Sequence, residues 1–364
     1  MEEKRPFDIM EYFSAIRIFI AILLSMLIVF VIIFFVSDNP LFAISKLILG
    51  PLQSKRSLFN VVERAMPLIF TGLALNIVLR SGIFNIGVDG SFYMGAVAAT
   101  AIAIKVQLPN IAHQATLIIV AGIIGGCINM LPKVIGGFTK INPTVLSIMF
   151  NSIFYYLGLS IVSTYLLERS GSWGSFYFPD TARLGNLIPG TSMHWGFIIM
   201  LAVIVIVVLF MEYTSFGYKV RVSGINPNFA RSSGIKVGGI VLGAQFMGGF
   251  IGGMGGAIEM VGMYKRFQWQ GQVAYVWDGL LVHMLANQNP KYIPLTALFI
   301  AYLRIGAEIM SRVADIDPEV VSFLQGIVIL LVASERFLYG IKKRHDQKKS
   351  FQQAKTAAVT EGVK

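Results

Sequence analysis

Two carboxylates lie inside strongly apolar stretches of this sequence, and each has a glycine close to it. Asp89 follows Gly87, and Asp278 directly precedes Gly279. A carboxylate at membrane depth is costly, so it usually faces a bundle interior or a water-filled cavity. Glycine loosens a helix, and non-helical backbone at that depth is tolerated only where protein or water covers it. The two stretches therefore predict a polar passage within a bundle of membrane helices.

The composition excludes an ordinary soluble domain. Of the 364 residues, 55% are hydrophobic and only 13% are charged, against roughly 25% charged residues in soluble proteins. Residues 18–36 form an uncharged apolar run that is long enough to cross a bilayer of about 30 Å. The basic stretch before it resembles the start of a signal peptide. However, the apolar run is too long and no small-residue cleavage site follows it, so we expect a retained first span.

The distribution of the net charge of +11 argues against nucleic-acid binding, and the cysteine content argues against redox chemistry. Lys and Arg are scattered over loops and concentrated in the tail. This pattern is typical of positive-inside topology and attraction to anionic lipid rather than of nucleic-acid binding. The single cysteine, Cys127, allows no intramolecular disulfide, so we expect no redox chemistry.

About ten membrane spans can be drawn in the sequence. The first five lie near 18–36, 62–80, 83–104, 114–132 and 143–167, and the second five near 194–212, 240–262, 271–288, 291–311 and 318–339. An odd number of spans in each half makes the two halves inverted relative to each other. Asp89 in the third span and Asp278 in the eighth are then counterparts, as expected for a site near the bilayer midplane.

We therefore expect an all-α polytopic membrane protein with two inverted five-helix halves and interrupted helices near the midplane. The transmembrane domain would cover residues 1–340, with a cytoplasmic loop at about 214–238 and an external loop at about 168–193. Residues 341–364 would form a basic cytoplasmic tail without fixed structure. Its Lys and Arg residues favour cytoplasmic positions for both termini.

The seventh predicted span contains glycines at four-residue spacing, namely Gly248, Gly252 and Gly256. This small-xxx-small pattern lets membrane helices approach each other closely. A dinucleotide-binding loop is the competing interpretation, but it needs a preceding strand and a following soluble helix. Neither is predicted here, so we expect these glycines to serve helix packing.

The segment between the sixth and seventh predicted spans is polar and basic. Asn226 and Pro227 can begin a short helix as its cap and first residue, and Gly234 can end it. A short capped helix between two spans is suited to docking a cytoplasmic partner. A plain solvated loop is the alternative.

These segments together resemble a known family. Residues 216–221, 224–227, Ala230 and 234–235 look like the coupling loop of ABC importer permeases of the branched-chain amino acid, ribose and nucleoside family. Residues 84–90 resemble the Asn-Ile-Gly-x-Glu-Gly-Gln motif of its nucleoside and simple-sugar members, with Asp89 in place of Glu and Ser91 in place of Gln. Further similar segments lie at 141–151, 253–259, 278–282, 317–319 and 324–327, so the resemblance covers roughly residues 60–335.

The resemblance implies a type II ABC importer fold and import of nucleosides by alternating access. Asn and Asp can hydrogen-bond ribose or base, and aromatic rings can stack on the base. The candidate substrate-binding residues are Asn85, Asp89, Ser91, Phe92, Asn142, Asn151, Trp277 and Asp278. The candidate ATPase-coupling residues are Gly217, Arg221, Gly224, Asn226, Pro227, Ala230 and Gly234. For each polar candidate, a hydrogen bond between helices is the alternative role.

The sequence contains no Walker A motif, no metal-ligand spacing and no nucleophile elbow. We therefore expect no cofactor in this chain and no enzyme activity of its own, with ATP and Mg²⁺ held by a separate cytoplasmic ATPase. The other implied partners are a second permease subunit, an external substrate-binding lipoprotein and the lipid of a prokaryotic plasma membrane.

Two alternatives stay open. One is a permease for a simple sugar such as ribose or galactose. The other is a proton-coupled secondary transporter that would use Asp89, Glu259 or His283. Phe267, Trp269 and Tyr275 near the outer end of the eighth span would, by default, form an interfacial aromatic belt.

Overall fold

The computed structural model describes residues 27–169 and 171–314, and in addition Leu24, Ile316, Asp317, Val320, Phe323, Gly326 and Ile327. Much of the first predicted span, most of the tenth and the whole tail lie outside the described residues. The helices in the described part are α1 (Leu27–Val36), α2 (Pro40–Leu49), α3 (Lys55–Arg80), α4 (Val88–Lys105), α5 (Asn110–Thr139), α6 (Pro143–Ile161), α7 (Gly196–Tyr213), α8 (Ser215–Ile225), α9 (Pro227–Ser232), α10 (Val237–Met263), α11 (Tyr275–Leu285) and α12 (Ile293–Val313). The described residues form no strand longer than an isolated bridge.

Six of these helices are long and apolar enough to cross a membrane. They are α3, α5, α6 with its continuation to Leu166, α7, α10 and α12 with the short turn before it. They coincide with the second, fourth, fifth, sixth, seventh and ninth predicted spans, so an all-helical, multi-pass membrane protein is confirmed. The count of ten spans in two inverted halves stays a prediction.

The two acid-bearing helices, α4 and α11, begin later than the sequence predicted. Residues 83–86 are non-helical, and α4 begins at Val88. The 11-residue helix α11 follows the non-helical segment 264–274. As a result, Asp89 and Asp278 each lie in the first turn of a helix. The helix dipole favours negative charge at that position.

Helix α10 packs against α3, α4 and α5 through its glycines. A Cβ atom on Gly253 would collide with the carbonyl oxygen of Ala121 in α5, and one on Gly256 would collide with the carbonyl oxygen of Phe92 in α4. These backbones are therefore close enough that only glycine fits between them. The prediction that these glycines serve helix packing is confirmed.

The chain divides into two compact units. One covers Gly50–Ile305, and the described residues before and after it belong to the other. Helices α3 to α11 lie wholly within the unit Gly50–Ile305. The contacts described below for the candidate site are all within this unit.

Backbone hydrogen bonds join the described part of the predicted external loop to the segment that follows α10. The N–H of Ser175 donates to the carbonyl of Phe267 at 3.0 Å, and the N–H of Phe178 donates to the carbonyl of Lys265 at 2.9 Å. Segment 168–195 and segment 264–274 therefore form one surface at this end of α10.

Candidate functional site

Asp89 borders a small cavity. The cavity is lined by Asp89, Tyr93, Asn151, Tyr155, Gln272 and Val273. Its free volume is enough for roughly one water molecule. Small-molecule pockets have volumes of about 300–1,000 Å³, so the site is closed in this structure.

Asp89 is 9% exposed, and within the described residues its side chain has no hydrogen-bond or ion-pair partner. Its position in the first turn of α4 provides favourable backbone dipoles. A buried carboxylate is normally paired or hydrogen-bonded. Asp89 is therefore available to a group that enters the cavity.

Asn151 joins α6 to the start of α4. Its Oδ1 accepts from the N–H of Gly90 at 3.0 Å, and its Nδ2 donates to the carbonyl of Ile86 at 3.1 Å. These bonds place Asn151 next to Asp89 in the cavity wall. The structure thus brings together two of the predicted substrate-binding residues.

Asn85 is fully buried and makes its hydrogen bonds inside the protein. Its Nδ2 donates to Oε1 of Gln245 at 2.7 Å and to the carbonyl of Asn129 at 2.9 Å, and its Oδ1 accepts from the N–H of Gly87 at 2.8 Å. Gln245 in turn donates to the hydroxyl of Ser81 at 3.0 Å. This network fixes the non-helical backbone before α4.

Ser91 and Asn142 also have partners within the protein. The buried Ser91 hydroxyl donates to the carbonyl of Gly125 at 2.8 Å. Asn142 is exposed and caps α6, because its Oδ1 accepts from the N–H of Thr144 at 2.9 Å. Neither residue lines the cavity.

Phe92 lies in a buried aromatic cluster. Its ring stacks on Trp269 with centroids 6.0 Å apart and contacts Tyr275 at 5.6 Å. Phe267 and Trp269 are 0% and 6% exposed. The interfacial belt proposed for these rings from the sequence is therefore wrong, because they pack inside the helix bundle.

Asp278 is paired with a basic residue. Nη2 of Arg304 in α12 lies 2.5 Å from Oδ1 of Asp278, whose side chain is 7% exposed. The buried Oδ2 of Asp278 and Nε of Arg304 have no hydrogen-bond partner among the described residues. The neighbouring Trp277 is 48% exposed and takes no part in this pair.

The two other groups considered for proton coupling are hydrogen-bonded. The carboxylate of Glu259 accepts from the hydroxyl of Tyr275 at 3.0 Å. His283 Nδ1 lies 3.2 Å from Nδ2 of Asn76, a distance at which the amide donates to the ring nitrogen. Both residues join helices within the bundle.

The predicted coupling loop contains two helices, α8 and α9. Asn226 caps α9 as predicted, since its Oδ1 accepts from the N–H groups of Asn228 and Phe229 at 3.1 and 3.0 Å. Pro227 is the first residue of α9, and Gly234 has a φ of +78° just after its end. The short capped helix expected from the sequence is confirmed.

The other coupling candidates are placed by close packing or by burial. A Cβ atom on Gly224 would collide with the carbonyl oxygen of Arg80 at the end of α3, and one on Gly217 would collide with the carbonyl oxygens at the end of α7. Ala230 is fully buried, and Arg221 has a buried Nη1 without a hydrogen-bond partner among the described residues. The loop is thus held firmly against the helix ends.

Large apolar side chains on α8 and α9 are exposed. Tyr218, Ile225 and Phe229 have exposed fractions of 55%, 86% and 58%. The basic residues Lys219 and Arg231 are exposed on the same two helices. We call these five residues the α8–α9 face. Exposed apolar groups surrounded by charge are typical of a protein-docking surface.

The sequence missed Tyr93, Tyr155 and Gln272 as residues of the cavity. Tyr93 lies four residues after Asp89, and Tyr155 lies four residues after Asn151. Residues four apart share a helix face, so this spacing could have identified both tyrosines. Gln272 reaches the cavity from the segment before α11, and local spacing carries no information about it. The described residues contain no group of His, Cys, Asp or Glu suited to a metal ion.

Several relatives align with most of the chain. A glucose ABC transporter permease of Haloferax volcanii is 27% identical, over 82% of this chain and 82% of that protein. A guanosine ABC transporter permease of Bacillus subtilis is 26% identical, over 78% and 84%. A nucleoside ABC transporter permease of Lactococcus lactis subsp. cremoris is 22% identical, over 81% and 84%.

Comparison with solved structures gives only a distant likeness. The PsaBC complex from Streptococcus pneumoniae has a TM-score of 0.46 and 14% identity, over 81% of this chain and 94% of that chain. By contrast, the family model for the permease component of branched-chain amino acid transport systems matches residues 57–333, well over half of the sequence. The chain therefore belongs to this family, and it is a multi-pass permease subunit of an ABC transporter.

Proposed function

We propose that this permease subunit imports nucleosides by alternating access, driven by ATP hydrolysis in separate cytoplasmic subunits. The observation that carries the proposal is the buried Asp89 carboxylate, which faces a cavity and has no partner among the described residues. Two of the relatives named above are permeases for guanosine or for nucleosides.

The residues at the cavity suit a nucleoside. Asp89 can accept hydrogen bonds from ribose hydroxyls, and Gln272 can both donate and accept. The buried stack of Phe92 and Trp269 lies next to Tyr93 in the cavity wall, and aromatic faces are suited to a flat base. Because the cavity now admits about one water molecule, binding requires an opened conformation.

A simple sugar is the second candidate substrate. It is favoured by the glucose permease relative, which at 27% identity is as similar to this chain as the nucleoside permeases are. A sugar would use the same carboxylate and hydroxyl groups but would not need the aromatic stack. Competition between the two substrate classes therefore separates the candidates.

Uptake by the complete transporter in vesicles tests the proposal. We expect ATP-dependent accumulation of labelled guanosine or uridine, with no competition from excess ribose, galactose or glucose. Asp89→Asn removes the charge at constant size and should lower uptake at least tenfold, whereas Asp180→Asn, an exposed carboxylate in segment 168–195, should not. Sugar uptake without nucleoside uptake would establish the second candidate instead.

The same experiment separates an ABC importer from a proton-coupled carrier. Uptake by the ABC importer stops without the ATPase subunits and is unaffected by collapse of a pH gradient. A carrier would continue without the ATPase and follow the gradient. Glu259 and His283 are both engaged in hydrogen bonds between helices, which favours structural roles for them.

We propose that the α8–α9 face docks on the ATPase, which holds ATP and Mg²⁺. Its exposed apolar and basic side chains suit a groove with an apolar floor and acidic rim. Ile225→Asp should therefore abolish co-purification of the ATPase. Ile111→Asp is the matched control, because Ile111 is equally exposed but lies at the start of α5. Equal retention of the ATPase by both variants would contradict the proposed docking face.

The remaining partners belong to the same proposal. Segment 168–195 exposes Phe176, Tyr177 and Trp195, and we assign it to the external substrate-binding lipoprotein. A second permease subunit, identical or different, completes the pathway in a prokaryotic plasma membrane, with both termini on the cytoplasmic side. Purification of the assembled complex and identification of its chains by mass spectrometry test this composition.

A further inference from the structure

The cavity beside Asp89 is covered by a stretch of chain that has few bonds of its own. Residues 270–273 lie between α10 and α11, and Gln272 and Val273 line the cavity. Within the described part of the chain, no backbone–backbone hydrogen bond involves residues 268–273. Gly271 has open space around its Cα. Contacts from other elements must therefore hold this stretch in place.

On its N-terminal side the stretch is anchored firmly. The backbone of Phe267 exchanges hydrogen bonds with Ser175, both at 3.0 Å. Trp269 is 6% exposed, and its ring packs against Phe92. Phe267 and Trp269 are thus fixed to the bundle, whereas Gln270, Gly271 and Gln272 are exposed.

Two tyrosine hydroxyls from the cavity wall bond to the first residue of this stretch and to the residue just before it. The hydroxyl of Tyr155 in α6 donates to the carbonyl of Gln270 at 2.5 Å, and the hydroxyl of Tyr93 in α4 donates to the carbonyl of Trp269 at 3.4 Å. The first distance is that of a strong hydrogen bond, and the second is that of a weak one. Since Trp269 is anchored by its ring, Tyr155 carries most of the attachment of residues 270–273.

We propose that Tyr155, assisted by Tyr93, is a positioning residue that fastens residues 270–273 as a roof over Asp89, and that release of its hydrogen bond opens the site from the external side. This inference rests on the proposed function, because it assumes that substrate reaches Asp89. It assigns to Tyr155 the control of access rather than substrate binding. In the closed form the roof and the tyrosine rings leave room for about one water molecule.

Cysteine accessibility tests the inference without any transported substrate. The chain's single cysteine, Cys127, is exposed and is first replaced by serine. Asp89→Cys then places a thiol in the cavity wall, and its rate of reaction with a membrane-impermeant thiol reagent is measured from each side of the membrane in the complete transporter. Tyr155→Phe removes only the hydroxyl. Loss of one hydrogen bond should raise the external labelling rate about fivefold.

Tyr156→Phe is the matched control. Tyr156 is the next residue of α6 and is 67% exposed, with no hydrogen bond to its hydroxyl among the described residues. This variant should label at the parent rate, and Tyr93→Phe should show a smaller rise than Tyr155→Phe. If Tyr155→Phe does not accumulate as folded protein, Tyr93→Phe replaces it, and the expected result is a smaller increase in the external labelling rate.

The inference is overturned if Tyr155→Phe labels no faster than Tyr156→Phe, or if its extra labelling comes from the cytoplasmic side alone. The proposed function fails differently. Absence of nucleoside uptake in the wild-type transporter would remove the nucleoside assignment and leave the accessibility result standing. Normal nucleoside uptake together with an unchanged labelling rate in Tyr155→Phe would contradict only the proposed role of Tyr155 and residues 270–273.

Discussion

Asp278 and Arg304 show how one residue pair can tie a short helix to its neighbour in a membrane protein. Asp278 comes from α11 and Arg304 from α12. Oδ2 of Asp278 and Nε of Arg304 are buried and have no hydrogen-bond partner among the described residues. Removing one member of a buried pair leaves the other charge uncompensated, which is costlier than losing the pair itself.

Arg304→Met should therefore lower the free energy of unfolding by about 3 kcal/mol, or somewhat less because Arg304 is 21% exposed. The double variant Asp278→Asn, Arg304→Met should recover most of this loss. Thermal unfolding of the purified protein measures both effects. Arg312→Met is the control: it breaks the exposed pair with Glu308 in the same helix and should cost less than about 1 kcal/mol. Equal losses for the two single variants would contradict the prediction.

The sequence identified which residue types could bind a substrate, but it could not show which of their side chains point into the cavity. Asp89 and Asn151 meet in the cavity wall. By contrast, the Asn85 amide is fully engaged with Asn129 and Gln245. A polar residue in an apolar helix needs a partner whether or not it binds a ligand, so residue type alone could not separate the two roles.

At the scale of elements, α10 is the helix most constrained by backbone contact. Its residue Gly256 lies against the carbonyl of Phe92, and that backbone cannot yield as a side chain could. Gly238 and Gly239 near its start face open space instead. The same residue type in one helix therefore has two different environments.

Gly256→Ala should destabilise the protein by about 3 kcal/mol, the upper part of the range for overpacking. Gly239→Ala should be neutral or stabilising by about 0.5–1 kcal/mol, because alanine is the better helix former. Folded yield and the midpoint of thermal unfolding measure the difference. Similar behaviour of the two variants would show that α10 does not pack through Gly256.

His194 fastens segment 168–195 to the bundle at one point. It lies just before α7, fully buried, and its Nδ1 accepts from the N–H of Gly196 at 3.2 Å. A Cβ atom on Gly262 in α10 would collide with its ring. Burial lowers the pKa of His194 to about 4, from 6.5 in the unfolded chain.

Between those pH values the unfolded chain binds a proton that the folded protein excludes. The contribution of His194 to stability is therefore complete above pH 6.5 and decreases as the pH falls from 6.5 towards 4. His194→Gln should remove this part of the pH dependence. The unfolding midpoint of both proteins, measured across this pH range, gives the result, and an unchanged slope in the variant would contradict the assignment.

At the scale of the whole molecule, the predicted topology places segment 168–195 and the α8–α9 face on opposite sides of the membrane. One apolar helix, α7, separates them. The proposed roof and the proposed docking face would then lie on the two sides of the membrane between which the proposed alternating access would operate. Substrate binding on one side and the proposed ATPase on the other would then both act on α10, because α8 and α9 pack against it.

Single cysteines in the Cys127→Ser protein test this topology. Asp180→Cys should react with an impermeant reagent in intact cells, because Asp180 is exposed in the external segment. Lys219→Cys on α8 should react only after permeabilisation. Reaction of both cysteines from the same side would show that α7 does not cross the membrane. If Lys219→Cys reacts in intact cells and Asp180→Cys reacts only after permeabilisation, the proposed orientation is inverted.

The class of this protein, the position of its long helices and the family it resembles could all be predicted from the amino-acid sequence. Hydrophobic runs, capping residues such as Asn226 and glycine spacing in α10 act over a few residues, so they can be recognised without knowledge of the fold. The folded arrangement was needed to tell polar side chains that have a partner from those, such as Asp89, that have none among the described residues. The Asp89 cavity joins residues from α4, α6 and the segment before α11, and contacts between such distant parts of the chain depend on packing that no local pattern records.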